Sequence, residues 1–385
     1  MRAGGIGLKF LAKVMMSASS TSQPADLKLA INRLRLLRDT LQEYGGVFAK
    51  VSQMLSLDTP SAEVFDECHS RLTGPTHDDF LTQISELDFF VRPEVVKSGS
   101  LSHLYLGNLR TGEKVAVKVQ YVGLADRCQE DLYSIKLLAT LLYNFPDMAS
   151  VMDEVTSKIK DELNYELEAE SQAWFASISR VRIPRVYPEH STRTRLVTEF
   201  VEGEDFGTFT LHATPARKAK IAGDLCRFLF GALWGHGALY SDVHFGNLLV
   251  DADDRLVVLD FGCVHRIEPE LKHTLERIWD DPSANTLREV GILPDTLTAE
   301  EIKYAEYYFA MHLEPWKTEG FVFNSDYTAR TTDRDQSLTG AWNMPRGVIY
   351  INKIVYSLYN VLASLKAPGI YWPTIKHVLA DCANL

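Results

Sequence analysis

Asp242, Asn247 and Asp260 are the residues of this chain best suited to a chemical task. Asp242 and Asn247 lie five apart in Y-S-D-V-H-F-G-N-L-L-V, and Asp260 opens D-F-G after R-L-V-V-L. Mg²⁺ is a hard cation that takes oxygen ligands, often one or two protein side chains with substrate phosphates completing its shell. Asn247 and Asp260 supply such ligands, which leaves Asp242 to orient or deprotonate an acceptor. His244, inside the same loop, reads as a structural hydrogen-bonding residue rather than the base. Upstream, K-V-A-V-K-V puts Lys118 in an alternating strand, where its amine can neutralise the α- and β-phosphates of ATP or ADP. Each signal is weak alone; the three in this order, with these gaps, are strong together. The plain alternative, loop carboxylates and a solvated lysine, requires all three to coincide by chance.

Composition sets the bounds. The chain has 385 residues, 46% hydrophobic and 24% charged, ordinary for a globular protein with room for two lobes. A net charge of −11 argues against non-specific nucleic-acid binding, which needs clustered Lys and Arg. Arg33, Arg35 and Arg38 make one small basic cluster, read as a solvated helix face. The five cysteines form no C-x-x-C pair, so neither a zinc knuckle nor a disulfide framework is indicated, and a reducing compartment, cytoplasmic or organellar, fits. No window is apolar for long enough to span a membrane. Residues 1–23 carry Arg2, Lys9 and Lys13, no acid, and a Ser/Thr run. They read either as an organelle transit segment or as a short amphipathic helix able to lie on a membrane surface.

Periodicity predicts the helices and strands that carry these residues. Residues 24–92 read as helical: Leu27, Ile31, Leu34, Leu37 and Leu41 recur at helical spacing, and Gly45-Gly46 ends the run. Near Val91 the pattern turns to strand. S-L-S-H-L-Y-L-G-N-L, the turn R-T-G-E and K-V-A-V-K-V-Q predict a hairpin with Val115, Val117 and Val119 on one face. Ala116 and Lys118 share the other face, the small Ala leaving room for a flat base. Val155, Ile159, Leu163 and Leu167 predict a helix rich in acids. One of these acids, Glu162 or Glu168, is the candidate to hold the Lys118 amine; on an unbroken helix the two point about 120° apart and cannot share the role. R-L-V-T-E-F-V-E reads as a buried strand that breaks at Gly203, with backbone near Glu199 and Val201 placed to read an adenine edge. Pro215 opens a helical second half, and I-A-G-D-L-C-R-F-L-F-G-A-L-W-G-H-G-A-L-Y reads as a buried core helix.

These segments together resemble the AarF/UbiB atypical kinases, a branch of the protein-kinase-like superfamily. G-G-V-F-A-K-V-S-Q looks like that family's K-x-G-Q element, matching Lys50 and Gln53. D-E-L-N-Y-E-L-E-A-E looks like its E-L-D-Y-x-x-E-A element, and S-D-V-H-F-G-N its A-D-P-H-P-G-N. The resemblance implies an α+β, bilobal kinase-like fold with an N-terminal helical extension over residues 24–92. A kinase-like N-lobe would follow over 93–203 and a helical C-lobe over 204–385. It implies ATP and Mg²⁺ as cofactors, and Lys50 and Gln53 reaching into the active site to obstruct protein substrates. Glu162 becomes the acid that pairs with Lys118. It also implies a link to isoprenoid-quinone or lipid metabolism, with a quinone precursor or isoprenoid lipid as partner and ATPase activity in place of protein phosphorylation.

The chain departs from the family pattern in places. Ser52 replaces Gly in K-V-S-Q, and the family's alanine-rich nucleotide loop is replaced by K-S-G-S-L-S-H-L, where Gly99 and Ser100 are the candidate phosphate contacts. Tyr240 replaces His, and Val243 and Phe245 replace prolines, around Asp242. None of these changes removes a metal ligand. Two other functions compete: a nucleotide-binding pseudokinase acting as a scaffold, favoured by the altered loop, and a small-molecule phosphotransferase, which K-V-S-Q counts against.

Overall fold

The computed structural model describes residues 89–98 (backbone), 101–121, single positions between 123 and 157, 159–332, 342, 343, 345 and 348–382, the last with backbone alone at 348–350, 352 and 353. The readings on residues 1–88, including Lys50 and Gln53, and those on Gly99 and Ser100 lie outside the described residues. The rest forms two compact units: one runs up to Ala169 and adds Val186–Phe200, the other comprises Glu170–Arg185 and Val201 onward.

In the first unit, β1 (Phe89–Ser98), β2 (Ser102–Leu109), β3 (Lys114–Gln120) and β4 (Arg195–Glu199) form one antiparallel sheet in that order. Strand structure thus begins at Phe89, two residues before the change of pattern read at Val91. The turn in R-T-G-E closes as expected: Gly112 sits at φ +93°, a conformation that costs a side-chain-bearing residue far more. Its N–H donates to the Leu109 carbonyl at 2.9 Å. The period-two pattern of β3 is realised: Val115, Val117 and Val119 are buried with Tyr105, Leu109, Tyr187 and Val197 in one small core.

The acidic helix does not run unbroken. Helical residues end at Glu162, and helix α1 (Tyr165–Ile178) starts afresh. Asn164 begins it as a side-chain cap, accepting from the Glu166 N–H at 3.2 Å. Gln120 holds the break in place by donating to the Leu163 carbonyl at 2.8 Å, and the Tyr165 N–H donates to Arg193 O at 3.0 Å. The restart shifts the apolar stripe: Ile159 and Leu163 are buried, but Leu167, expected on the same stripe, is 43% exposed.

The second unit holds the remainder of α1, a three-stranded sheet β5 (Glu204–Asp205), β7 (Leu248–Val250) and β8 (Leu256–Val258), and the pair β6 (Ala238–Tyr240) with β9 (Val264–Arg266). The strand expected to break at Gly203 ends earlier, at Glu199. Gly203 is instead a close-approach position: a Cβ there would sit 3.1 Å from Leu249 Cβ and 3.1 Å from the Val250 carbonyl oxygen. Around the strands lie helices α2 (Phe206–His212), α3 (Pro215–His236), α4 (Pro269–Asp280), α5 (Ala284–Glu289), α6 (Ala299–Lys317), α7 (Ser325–Thr332), α8 (Val348–Leu365) and α9 (Tyr371–Cys382).

Helix α3 is the core helix expected, with nine buried positions. Thr214 caps it by accepting from the Arg217 N–H, Pro215 takes the first turn, and Gly237 ends it at φ +59°. That left-handed residue turns G-A-L-Y out of the helix and into β6, which delivers Asp242. Among the described residues no helix is long and apolar enough to cross a membrane, and no disulfide forms.

Candidate functional site

Lys118 stands on the β3 face opposite the buried valines, beside Ala116. Its amine donates to both carboxylate oxygens of Glu168, at 2.8 and 2.9 Å, and lies 5.0 Å from the centre of the Tyr165 ring. The Glu168 side chain is 4% exposed and that of Lys118 24%. This corrects the pairing implied by the family resemblance: Glu168, not Glu162, holds the lysine. The reason is the break at Leu163–Asn164. Because α1 restarts at Tyr165, Glu168 falls one turn into the new helix, on the same face as Tyr165, and both turn toward Lys118. Glu162 stays half-buried on the preceding helical stretch.

A buried ion pair gains little net stability, because desolvating both charges cancels most of their attraction. What a bidentate carboxylate does provide is a fixed position for the amine. On the neighbouring strand, Ala116 pairs with Thr198 and Val115 with Glu199, and the Phe200 N–H donates to the Lys114 carbonyl at 3.1 Å. Ala116 and Glu199, two of the expected nucleotide contacts, therefore lie on adjacent strands of one sheet. Val201, another of them, is buried in the second unit.

In the second unit two strand pairs bring the polar residues together. β6 and β9 pair through Tyr240 and Val264, and the ladder continues one step, the Ser241 N–H donating to Cys263 O at 2.9 Å. β7 and β8 pair through Leu248 and Val258, and the Leu259 N–H donates to Asn247 O at 3.0 Å. Asp242 thus comes directly after one pairing step and Asp260 after the other, with Asn247 between them. The Asn247 amide nitrogen donates to Asp242 Oδ2 at 2.8 Å and to Asp242 O at 3.2 Å. With its nitrogen so engaged, the amide turns its oxygen to a different direction, as a cation ligand requires. Asp260 Oδ1 accepts from the Gly262 N–H at 2.9 Å, an arrangement that fixes the carboxylate within its own loop.

His244 takes the supporting role expected of it. Its Nδ1 accepts from the Gly246 N–H at 3.0 Å, so a neutral ring carries its proton on Nε2, which faces Asp242 Oδ2 at 3.3 Å. Behind these loops Phe261 is buried against Phe175, ring centres 5.2 Å apart, and against Tyr240 at 5.4 Å. The Tyr240 hydroxyl is pushed well above its ordinary pKa, first by burial and then by the charges of Asp242 and Asp260. In the sequence Tyr240 stands out only as a replacement for His; in the fold its ring is the floor on which the D-F-G loop packs.

Two supports of the site lie outside its motifs. Asp251, at the β7–β8 turn, accepts from the Asp253 and Arg255 N–H groups and pairs with the Arg255 and Arg182 guanidiniums. Burial pushes its carboxyl up, but those hydrogen bonds outweigh burial and leave it below its usual pKa. Arg182 also extends the sheet, its N–H donating to Leu256 O at 2.8 Å. D-A-D-D-R, an Asx-type sequence, carries a signal for the turn. Nothing local announces Arg182 or Gln120.

The donor set fits a hard cation. Among the described residues no cluster of three His, Cys, Asp or Glu side chains is arranged to hold a metal. A site of one amide oxygen and one carboxylate, completed by phosphate oxygens, is the sparse kind Mg²⁺ accepts.

The model of the ABC1 atypical kinase-like domain matches residues 48–286. An uncharacterized protein of Synechocystis is 31% identical over 224 residues, covering 53% of this chain and 33% of that protein. An uncharacterized aarF domain-containing protein kinase of Arabidopsis thaliana, described as chloroplastic, is 30% identical over 259 residues, 61% of this chain and 36% of its own length. The Arabidopsis protein Activity of BC1 complex kinase 3, also chloroplastic, is 27% identical over 263 residues, 62% of this chain and 37% of its length. The chain thus spans about a third of the length of these relatives. The solved structure of Rv3197 from Mycobacterium tuberculosis, in complex with erythromycin, superposes with a TM-score of 0.67 at 21% identity, covering 88% of this chain and 93% of that one. That likeness shows the fold: mixed helix and strand, kinase-like. With more than half of its residues matched by the family's model, this chain belongs to the ABC1 atypical kinase-like family.

Proposed function

We propose that the protein is an ATP- and Mg²⁺-dependent atypical kinase or ATPase acting in isoprenoid-quinone or lipid metabolism. The observation that carries the nucleotide reading is the bidentate hold of Glu168 on Lys118, a costly burial of charge whose product is a fixed amine. In this reading Lys118 neutralises the α- and β-phosphates and Glu168 keeps it from swinging to solvent. Asn247 and Asp260 hold Mg²⁺, which supplies charge neutralisation on the transferring phosphoryl group. Asp242, steadied by Asn247 and His244, accepts the proton of an acceptor hydroxyl or orients a water. The phosphoryl group then passes from the nucleotide to that oxygen. The work is positioning and electrostatics, with no covalent enzyme intermediate required. The lipid link rests on the family resemblance, as does the obstruction of protein substrates by Lys50 and Gln53. The chloroplastic relatives favour an organellar compartment.

The test is thermal unfolding with ATP and with ADP, each with and without Mg²⁺. A nucleotide at 100 times its Kd adds about 2.7 kcal/mol to the native state. A Mg²⁺-dependent shift that disappears in Asp260→Asn supports the reading, and no shift with either nucleotide refutes it. The altered loop around Gly99 favours a second reading, a nucleotide-binding scaffold without turnover. That reading expects binding without phosphate release, unchanged by Asp242→Asn.

A further inference from the structure

The strand pair between Asp242 and Asp260 is a slender support for two reacting loops. β6 leads into Asp242, and the D-F-G segment leads into β9. Each strand has three residues, and together they form a sheet of only two strands. A two-stranded ribbon is marginally stable by itself. Its open end, where the chains diverge toward the two carboxylates, is where fraying would displace them.

That end carries side-chain bonds beyond the ladder. Ser241 donates twice to one acceptor, its N–H and its hydroxyl both reaching Cys263 O at 2.9 Å. His265 Nε2 lies 3.0 Å from the same Ser241 Oγ. A hydroxyl has one hydrogen. With that hydrogen given to Cys263 O, Oγ accepts and His265 donates, so the ring carries a proton on Nε2. The register accounts for the reach: His265 pairs with Leu239, and its diagonal neighbour on the same face is Ser241. Ser241 is 1% exposed, a depth at which a hydroxyl needs partners, and His265 is half-buried. One hydroxyl thus joins the residue before Asp242 to the residue after D-F-G. Asp242 is in turn held by the Asn247 amide, so the link bears on both residues read as Mg²⁺ ligands, Asn247 and Asp260.

We infer that Ser241 and His265 are positioning residues for the nucleotide reaction, the His265–Ser241–Cys263 link fixing the Asp242 and Asp260 loops against each other. Neither residue is a ligand or a base. His265 acts through Ser241, and Ser241 acts through the two backbones it joins. This inference rests on the function proposed above and adds the device that holds its two loops in register.

The experiment compares the native full-length protein with Ser241→Ala, His265→Ala, His265→Gln and the double Ala variant, each first checked for a cooperative thermal transition. Hydrogen exchange without nucleotide reads the link itself. In both single Ala variants, exchange over residues 239–247 and 259–266 should rise about fivefold or more, while residues 250–257 keep the native rate. His265→Gln should restore the native rate, because its amide nitrogen can donate where Nε2 did. Calorimetric titration with ATP and Mg²⁺ then reads the role. Apparent Mg²⁺ affinity should fall about tenfold in either Ala variant, the low end for losing an outer support of a metal ligand. His265→Gln should recover it, and the double Ala variant should be no weaker than the single ones, since both residues act through one link. Unchanged exchange in the Ala variants overturns the link, and so do losses that multiply in the double variant. A native protein that takes no nucleotide overturns the function proposed above and the positioning role with it. A native protein that binds Mg²⁺ and ATP while the Ala variants bind them equally well overturns the positioning role alone.

Discussion

Replacing Glu168 by Gln tests the central correction made by the structure. Both Glu168 oxygens accept from Lys118, and the Glu168 side chain is 4% exposed. Breaking a fully buried pair by removing one partner costs about 3–5 kcal/mol, mostly from the charge left behind. The Lys118 side chain is 24% exposed, so the stranded amine can turn partly to water, and the expected cost falls to about 2 kcal/mol. Glu162→Gln touches a half-buried acid outside this pair and should cost less than Glu168→Gln. The double change Lys118→Met with Glu168→Leu removes both charges together and should cost less than Glu168→Gln alone. The choice of probe matters, because all six tryptophans, Trp174 to Trp372, belong to the second unit. Tryptophan emission is therefore a poor reporter of the first. Amide hydrogen exchange of β2 and β3 reads the sheet directly. Glu168→Gln should accelerate exchange there by about thirtyfold where opening of that unit controls it, the equivalent of about 2 kcal/mol, and should also weaken Mg²⁺-nucleotide binding. If Glu162→Gln produced the larger effect on both readouts, the helix restart at Tyr165 would not be what selects the partner of Lys118.

The same geometry predicts three further outcomes. On the proposed reading, in which Asp260 is a Mg²⁺ ligand, Asp260→Asn takes a charge from a hard cation's shell, so the Mg²⁺-dependent part of nucleotide stabilisation should fall at least tenfold in apparent affinity, measured by calorimetry. Asp251→Asn should cost about 2 kcal/mol at pH 7, since it strips the charge from contacts to Arg182 and Arg255. The Asp251 carboxyl has a lowered folded-state pKa, so its stabilisation is complete above the ordinary carboxylate pKa near 4 and is lost as pH falls through the folded value. The gap between wild type and variant, read by tryptophan emission of the second unit, should therefore narrow below about pH 4; a gap that widened there would contradict the assignment. Gly203→Ala would push a methyl to 3.1 Å from the Val250 carbonyl oxygen, and the β5–β7 edge must shift, with an expected loss of about 1–3 kcal/mol in urea unfolding.

The sequence made visible what depends on short-range repetition, and hid what depends on pairing across distance. The valine alternation of β3 and the Pro215 start of α3 are local patterns, and the structure contains both. So are the spacings among Asp242, Asn247 and Asp260. Their convergence is decided by registers no spacing encodes: Ser241 against Cys263, and Asn247 against Leu259. The choice between Glu162 and Glu168 shows the limit best. Helical periodicity treats the acidic stretch as one rod, and on one rod the two acids point apart. The rod breaks because Gln120, on a strand more than forty residues upstream, takes the Leu163 carbonyl, and because Asn164 can cap the new helix. Asn at a break is a legible cap signal; a glutamine in a strand pairing with a distant carbonyl is not. The same strand face therefore does two things at once. Gln120 ends one helical stretch, and Lys118, two residues earlier, receives the acid that the new helix presents.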